Sequence, residues 1–168
     1  MKSLRLLSLV VFSLVSSVVF AQKDSIQPPY KKFPTFPPVK LLKTDSVSYF
    51  TKEDLNKKSA VLLMLFNPTC DHCKHETEEI IQRINDFKGI QIVMATAMPH
   101  DSMTAFVKKY ELAKYDNIVV GQDVHYFLPT FYKISHLPFL AFYDRKKQLI
   151  SIFEGALPVN KVLEELKK

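Results

Sequence analysis

Hydrophobic and polar positions along the 168-residue chain follow two kinds of pattern. Residues 60–66 are continuously apolar, which is typical of a strand buried on both faces of a parallel sheet. Residues 70–87 instead repeat their apolar positions at helical spacing, which predicts a helix with one buried face. Further strands are predicted at 90–95, 118–120, 139–143 and 149–153, and further helices at 102–110, 124–132 and from 158 onward. This order indicates an α/β fold in which helices cover a central sheet.

The N-terminal part divides into three segments. Residues 1–21 combine a short basic start with an apolar run shorter than the ~20 residues of a membrane-spanning helix. Small residues end the run, so we predict a signal peptide cleaved after Ala21, with an uncleaved anchor as the open alternative. Residues 22–38 hold five of the ten prolines and predict an extended spacer. The domain is then expected at residues 39–168, starting with a β-hairpin.

The net charge of the chain and its predicted compartment limit the classes of molecule that it is expected to bind. The formal net charge of +6 at pH 7 comes from lysines that are scattered in pairs near predicted turns and helix ends. The sequence has no basic stripe interleaved with aromatic residues, so nucleic acid is not an expected partner. Cleavage after Ala21 would release a mature chain, starting at Gln22, in an extracytoplasmic compartment where disulfides form.

Both cysteines of the chain, Cys70 and Cys73, lie in the stretch Asn-Pro-Thr-Cys-Asp-His-Cys-Lys-His. A disulfide between them would close a very small ring and remove little chain entropy, so a structural staple explains the pair poorly. Covalent haem attachment requires a histidine directly after the second cysteine, where this chain has Lys74. A zinc site would need four ligands from residues 70–75 or a second cluster, and the other histidines are isolated, so we expect no bound metal.

A redox-active dithiol fits the position of the pair. Cys70 lies at the predicted strand-to-helix corner, where unpaired backbone N–H groups and the helix dipole favour a thiolate. Cys73 lies one turn further along the helix, close enough to attack a mixed disulfide on the first thiol. We therefore predict Cys70 as the nucleophile and Cys73 as the resolving thiol. His72 between them either stabilises the Cys70 thiolate when protonated or simply faces solvent.

These features, together with Ile-Ser-His-Leu-Pro-Phe-Leu-Ala-Phe-Tyr-Asp at residues 134–144, resemble the thioredoxin superfamily. In particular, the chain is similar to the TlpA/ResA-like extracytoplasmic thiol–disulfide oxidoreductases. The resemblance implies a thioredoxin-like fold: a central mixed β-sheet flanked by helices, with an N-terminal β-hairpin and an inserted strand–helix unit near residues 93–110. It also implies that Pro138 follows a cis peptide bond and faces the cysteines, and that Leu137 presents its backbone to a bound substrate chain.

Three positions depart from the pattern of that family. Thr69 stands where a tryptophan usually precedes the first cysteine, and Met64 stands where thioredoxins bury an aspartate. The loop at residues 97–101, where some relatives carry a catalytic acid, offers His100 and Asp101. Each of these two also has an ordinary explanation, as a surface residue or a helix cap, so the proton acceptor for the resolving thiol stays open.

The expected function is that of an exported thiol–disulfide oxidoreductase that needs no diffusible cofactor, because electrons pass through Cys70 and Cys73 themselves. The resemblance implies two kinds of partner: exported proteins with cysteines or disulfides, such as apocytochromes awaiting haem, and a membrane-bound thiol reductant donor. We expect a monomer. The resemblance favours the reductase direction, whereas a stabilised thiolate favours an oxidising potential. The alternative is a non-catalytic thioredoxin-like module that binds peptides or metal, although a pure binder would need neither thiol.

Overall fold

The computed structural model describes residues 27–168, and the predicted signal peptide at residues 1–21 lies outside them. Within the described residues, one sheet contains the strands β1 (Lys40–Leu42), β2 (Tyr49–Thr51), β3 (Ala60–Leu65), β4 (Ile90–Thr96), β5 (Ile118–Gln122), β6 (Phe139–Tyr143) and β7 (Leu149–Glu154). The helices are α1 (Pro29–Lys32), α2 (Asp71–Gln82), α3 (His100–Lys109), α4 (Phe127–Tyr132) and α5 (Val159–Glu165). Short 3₁₀ turns occupy Lys52–Asp54, Ile84–Phe87 and Leu112–Lys114. No helix in this part of the chain is long and apolar enough to cross a membrane.

The strand order in the sheet is β2-β1-β5-β4-β3-β6-β7. β3, β4 and β5 run parallel, with Leu63 opposite Val93 and Val93 opposite Val119. β6 is antiparallel to β3, β7 is antiparallel to β6, and β1 is antiparallel to both β2 and β5. The sheet is therefore mixed and flanked by helices, as predicted. The predicted N-terminal hairpin is formed by β1 and β2. β4 and α3 cover the residues near 93–110 for which the resemblance predicts an inserted strand–helix unit.

The position of β3 inside the sheet explains why residues 60–65 include no polar side chain. All six of its residues are buried, because structure covers both faces of the sheet. Leu62 and Met64 belong to the core on the side of α2 and α5, whereas Leu63 and Leu65 belong to the core on the side of α4. Burial of each such side chain stabilises the fold by roughly 1.5–3 kcal/mol. The carboxyl end of β3 is thus firmly held, and the cysteines follow directly after it.

The predicted spacer at residues 22–38 is wrong for its described part. Helix α1 lies in this segment, and Thr35 forms a β-bridge with Gln148. Phe36 is fully buried, with its ring centroid 5.1 Å from that of Tyr143. Pro29 begins a helix rather than an extended segment, and the ring of Phe36 packs onto the domain. The packed body therefore starts before residue 39.

Two predicted helix boundaries also differ from the structure. The helix predicted at residues 70–87 ends with α2 and continues as a 3₁₀ turn. The helix predicted from residue 124 begins later, because Tyr126 adopts a left-handed backbone conformation with φ of 55°. The carboxylate of Asp123 accepts the N–H of Leu128 at 2.7 Å and so satisfies a backbone donor in the first turn of α4.

Candidate active site

The cysteines lie at the corner where β3 turns into α2. The N–H of Phe66 donates to the carbonyl of Ala95 at 3.0 Å, so the chain follows the sheet one residue beyond the strand. Asn67 then forms the corner: its side-chain oxygen accepts the N–H and the hydroxyl of Thr69, each at 2.9 Å. Its carbonyl accepts the N–H of Cys70 at 3.0 Å. Such an asparagine turn replaces the hydrogen bonds of the strand and leaves Cys70 as the N-cap of α2.

The two thiols differ in accessibility, as predicted. Both cysteines are free; Cys70 is half-buried, whereas Cys73 is fully buried. Burial raises the pKa of the Cys73 thiol from 9.0 to about 12, and negative charge on Cys70 or Glu76 adds to this increase. The backbone N–H of Asn67 partly offsets the increase in pKa. A reagent or substrate from solvent therefore reaches Cys70 first, and Cys73 stays protonated until its surroundings change.

The peptide bond between Leu137 and Pro138 is cis, which confirms the prediction from the resemblance. The carbonyl oxygen of Leu137 lies 4.0 Å from Sγ of Cys70. The carbonyl of Pro138 accepts the N–H of Gly155, just after β7, at 2.8 Å. The backbone of Leu137 thus runs beside the accessible thiol, where the resemblance predicts that a substrate chain aligns.

A groove of about 280 Å³ opens beside this loop. Its lining is mostly apolar and comprises Leu65, Phe66, Asn67, Ala95, Ala97, Met98, Tyr126, Pro129, Ile134, Ser135 and Leu137. Tyr126 is 61% exposed, so an aromatic face is available to an incoming chain. The groove shares Asn67 and Leu137 with the site of the thiols.

Glu76 is a buried acid that the sequence analysis missed. It lies one helical turn after Cys73 and is only 1% exposed. One carboxylate oxygen, Oε2, accepts the N–H of Leu157 at 2.8 Å, whereas Oε1 is buried with no hydrogen-bond partner among the described residues. Burial raises the pKa of this carboxyl from 4.5 to about 7, although the hydrogen bond from Leu157 lowers it. Such a group can exchange a proton near neutral pH.

A signal for Glu76 was present in the helical pattern. Positions 73, 76, 77 and 80 share one face of α2, and all four are buried. A glutamate between Cys73 and Ile80 on an apolar face is rarely buried without a function or a partner. The resemblance instead predicts an acid in the loop at residues 97–101.

His100 and Asp101 have structural positions at the start of α3. Nε2 of His100 lies 3.0 Å from the carbonyl oxygen of Lys43, and its Nδ1 lies 3.5 Å from the hydroxyl of Thr104. Asp101 is exposed in the first turn, and Pro99, rather than Asp101, is the N-cap residue. The structure therefore favours Glu76 over these two residues as the acid next to the cysteines.

His72 is exposed on the first turn of α2. The pKa of the neighbouring Asp71 is lowered chiefly by the hydrogen bond from Lys74 at 2.8 Å, with a smaller electrostatic contribution from His72. Tuning of the Cys70 thiol by His72 stays a prediction. Residues 27–168 contain no group of three or more histidine, cysteine, aspartate or glutamate side chains that could hold a metal ion.

An accessible thiol at a helix start, a buried thiol one turn later and a cis-proline beside them define a dithiol protein of the thioredoxin fold. The chain belongs to the AhpC/TSA family, whose model matches residues 32–159. The family and the fold together confirm the predicted thioredoxin-like class. A comparison with curated proteins by sequence gave no match.

Solved structures of the same fold come from several bacteria. A secreted disulfide oxidoreductase of Mycobacterium tuberculosis, homologous to DsbE of E. coli, superposes with a TM-score of 0.64 and is 17% identical over 77% of this chain and 95% of its own. StoA from Bacillus subtilis gives a TM-score of 0.57 with 18% identity over 79% of this chain and 98% of its own. At identities this low, the structural similarity shows only that these proteins share a fold with this chain.

Proposed function

We propose that this protein is an exported thiol–disulfide oxidoreductase that acts on cysteines of exported proteins through Cys70 and Cys73, chiefly as a reductase. The observation that carries the proposal is the arrangement around Cys70: its Sγ lies 4.0 Å from the carbonyl of Leu137, directly before the cis-proline. The buried Cys73 lies behind it as an intramolecular partner. A domain that only bound peptides would not require this graded pair of thiols.

In the first step, the thiolate of Cys70 attacks one sulfur of a substrate disulfide. A new bond joins Cys70 to that sulfur, the substrate S–S bond breaks, and the second substrate sulfur leaves as a thiolate that takes a proton from water. The backbone of Leu137 holds the substrate chain in line. Alignment of this kind makes the attack effectively intramolecular, which is a major source of rate in bound complexes.

In the second step, Cys73 attacks Sγ of Cys70 and releases the substrate. The Cys73 thiol must first lose its proton, and Glu76 lies one turn away with its pKa raised to about 7, so its carboxylate form can accept that proton. Once Cys70 is bonded to substrate it carries no charge, which removes one of the causes that raise the pKa of Cys73. The substrate leaves as a dithiol with two more electrons, and the protein keeps a Cys70–Cys73 disulfide.

The reductase direction is supported by the charges around the pair. Strongly oxidising dithiol proteins gain their potential from a stabilised reduced form. Here burial and the negative charge of Glu76 both disfavour a thiolate at Cys73, so the reduced form gains no such stabilisation from this residue. An external dithiol donor must then restore the thiols, which fits the expected membrane-bound reductant. The proposed export is supported by the leader-like residues 1–21 and by the secreted M. tuberculosis neighbour.

An insulin-reduction assay with dithiothreitol tests the proposal against a binding module. We expect the wild-type protein to accelerate reduction, whereas Cys70→Ser should abolish the acceleration and Cys73→Ser should reduce it strongly. The same three proteins are then compared in binding a cysteine-free peptide. Equal peptide binding by all three, with no acceleration of insulin reduction by the wild type, would identify a non-catalytic module instead.

A further inference from the structure

Glu154, the last residue of β7, contacts the loop that leads to the cis-proline. Its Oε2 accepts the backbone N–H of His136 at 2.8 Å and that of Ser135 at 3.2 Å. The ring Nδ1 of His136 lies 3.3 Å from the same oxygen. The side chain of Glu154 is 29% exposed, so water screens it only in part.

The loop is thus held to the end of β7 on both sides of Leu137. After Leu137, the carbonyl of Pro138 accepts the N–H of Gly155, and the ladder continues with Phe139 opposite Glu154. Before Leu137, the attachment is the carboxylate of Glu154 alone among the hydrogen bonds that the structure gives for these two amides. A carboxylate accepting two backbone N–H groups makes charge-assisted bonds, which are stronger than neutral ones.

We infer that Glu154 is a positioning residue for chain-like substrates. By binding the amides of Ser135 and His136, it fixes the backbone of Leu137 at the place where a substrate chain aligns beside Cys70. This inference rests on the proposed function, since it assigns Glu154 to the recognition of peptide disulfides and leaves the thiol chemistry to the cysteines. A small disulfide, which needs only access to Cys70, does not depend on it.

The role belongs to the backbone contacts rather than to an ion pair with His136. The imidazole of His136 is 78% exposed, and ion pairs at such positions contribute little. Ser135 and His136 are both exposed, so their amides turn to water when Glu154 is truncated. Truncation of Glu154 is therefore expected to make the loop less ordered while the rest of the protein stays folded.

The test compares two disulfides for each variant of the reduced protein. The rate constant is measured with hydroxyethyl disulfide and with a short peptide that carries one intramolecular disulfide. Glu154→Ala and Glu154→Asp withdraw the acceptor from the two amides and should lower the rate constant with the peptide about fivefold to tenfold. The rate constant with hydroxyethyl disulfide should stay within about twofold of wild type.

Three further variants separate positioning from general structural effects. Glu154→Gln keeps an oxygen acceptor of the same reach and should retain most of the rate with the peptide. His136→Ala keeps the backbone N–H and should behave as wild type. Glu165→Ala is the matched control: its carboxylate, 24% exposed, accepts the hydroxyl of Ser151 on the same strand β7, away from the loop. This control should leave both rate constants unchanged.

The outcomes distinguish this inference from the proposed function. Equal rates with the peptide for wild type, Glu154→Ala and Glu154→Asp would reject the role of Glu154 and leave the oxidoreductase intact. A parallel loss with both disulfides would also reject it, because truncation would then act on the thiols or the fold. A wild-type protein that reduced hydroxyethyl disulfide but no peptide disulfide would reject the proposed function, and the positioning role with it.

Discussion

Replacing Glu76 with glutamine should change how the stability of the reduced protein depends on pH. In the native protein the pKa of this carboxyl is about 7, whereas the ordinary value of 4.5 applies to the unfolded chain. Between these values the native state binds more protons than the unfolded state, so wild-type stability falls as the pH rises through this window. Above pH 7 the native protein carries a buried carboxylate, and the loss is complete.

The size of this effect follows from the shift in pKa. Each pKa unit corresponds to about 1.4 kcal/mol, so a rise from 4.5 to about 7 gives a loss of roughly 3 kcal/mol between pH 4 and pH 8. Glutamine cannot ionise and lacks this loss. Its amide nitrogen places a buried donor at the position of Oε1, which has no hydrogen-bond partner among the described residues, and such an unpaired donor costs about 1–3 kcal/mol. That cost is the same at every pH, so the comparison concerns the change with pH.

Urea unfolding of the reduced proteins at several pH values measures this difference. Wild type should lose about 3 kcal/mol relative to Glu76→Gln from pH 4 to pH 8. Glu78→Gln is a suitable control, because Glu78 lies on the same helix but is exposed; its stability should run parallel to that of wild type. If wild type and Glu76→Gln kept a constant difference over this range, the buried, proton-exchanging carboxyl would be refuted.

Three other outcomes follow from the site and the fold. Glu76→Gln should slow the release of substrate from the mixed disulfide by Cys73 about 100-fold and remove the rise of that rate near pH 7. Quenched single-turnover kinetics measure this rate, and an unchanged pH profile would exclude Glu76 as the proton acceptor. Alkylation of the reduced protein near neutral pH, read by mass spectrometry, should label Cys70 before Cys73, and labelling of Cys73 first would reverse the two roles. The Cys73→Ser variant should accumulate mixed disulfides, whereas Cys70→Ser should not. Phe36→Ala should destabilise the protein by about 3–5 kcal/mol in urea unfolding, because this ring is fully buried. An unchanged unfolding midpoint would contradict the packing of Phe36 on the domain and favour the predicted spacer.

The sequence was sufficient where local patterns determine the structure. The continuous apolar run at residues 60–66 predicts a strand covered on both faces, and β3 is buried at every position. The spacing of the cysteines, with a corner before them, predicts one accessible and one buried thiol. The cis bond before Pro138 came from the resemblance, since no local pattern distinguishes it from the trans form.

The features that the sequence did not reveal depend on contacts between distant residues. Phe36 is buried because it packs on Tyr143, more than one hundred positions away, and nothing in its proline-rich neighbourhood indicates that partner. Glu76 resembles an ordinary polar position in the sequence, and only the structure shows that its carboxylate accepts the amide N–H of Leu157 from the far end of the chain. Glu154 directly follows the strand predicted at 149–153, and nothing in the sequence indicates that its carboxylate accepts two amides of a distant loop.

The reduction potential of the Cys70–Cys73 couple tests the proposed reductase most directly. The protein is equilibrated in buffers of defined thiol–disulfide ratio, and the fraction of free thiol is measured after rapid alkylation. We predict a single two-electron transition nearer to about −270 mV, the value of thioredoxin, than to about −120 mV, the value of strong thiol oxidants. A transition near the oxidant value would reverse the direction of electron flow, and the absence of any two-electron transition would contradict a redox role for the pair.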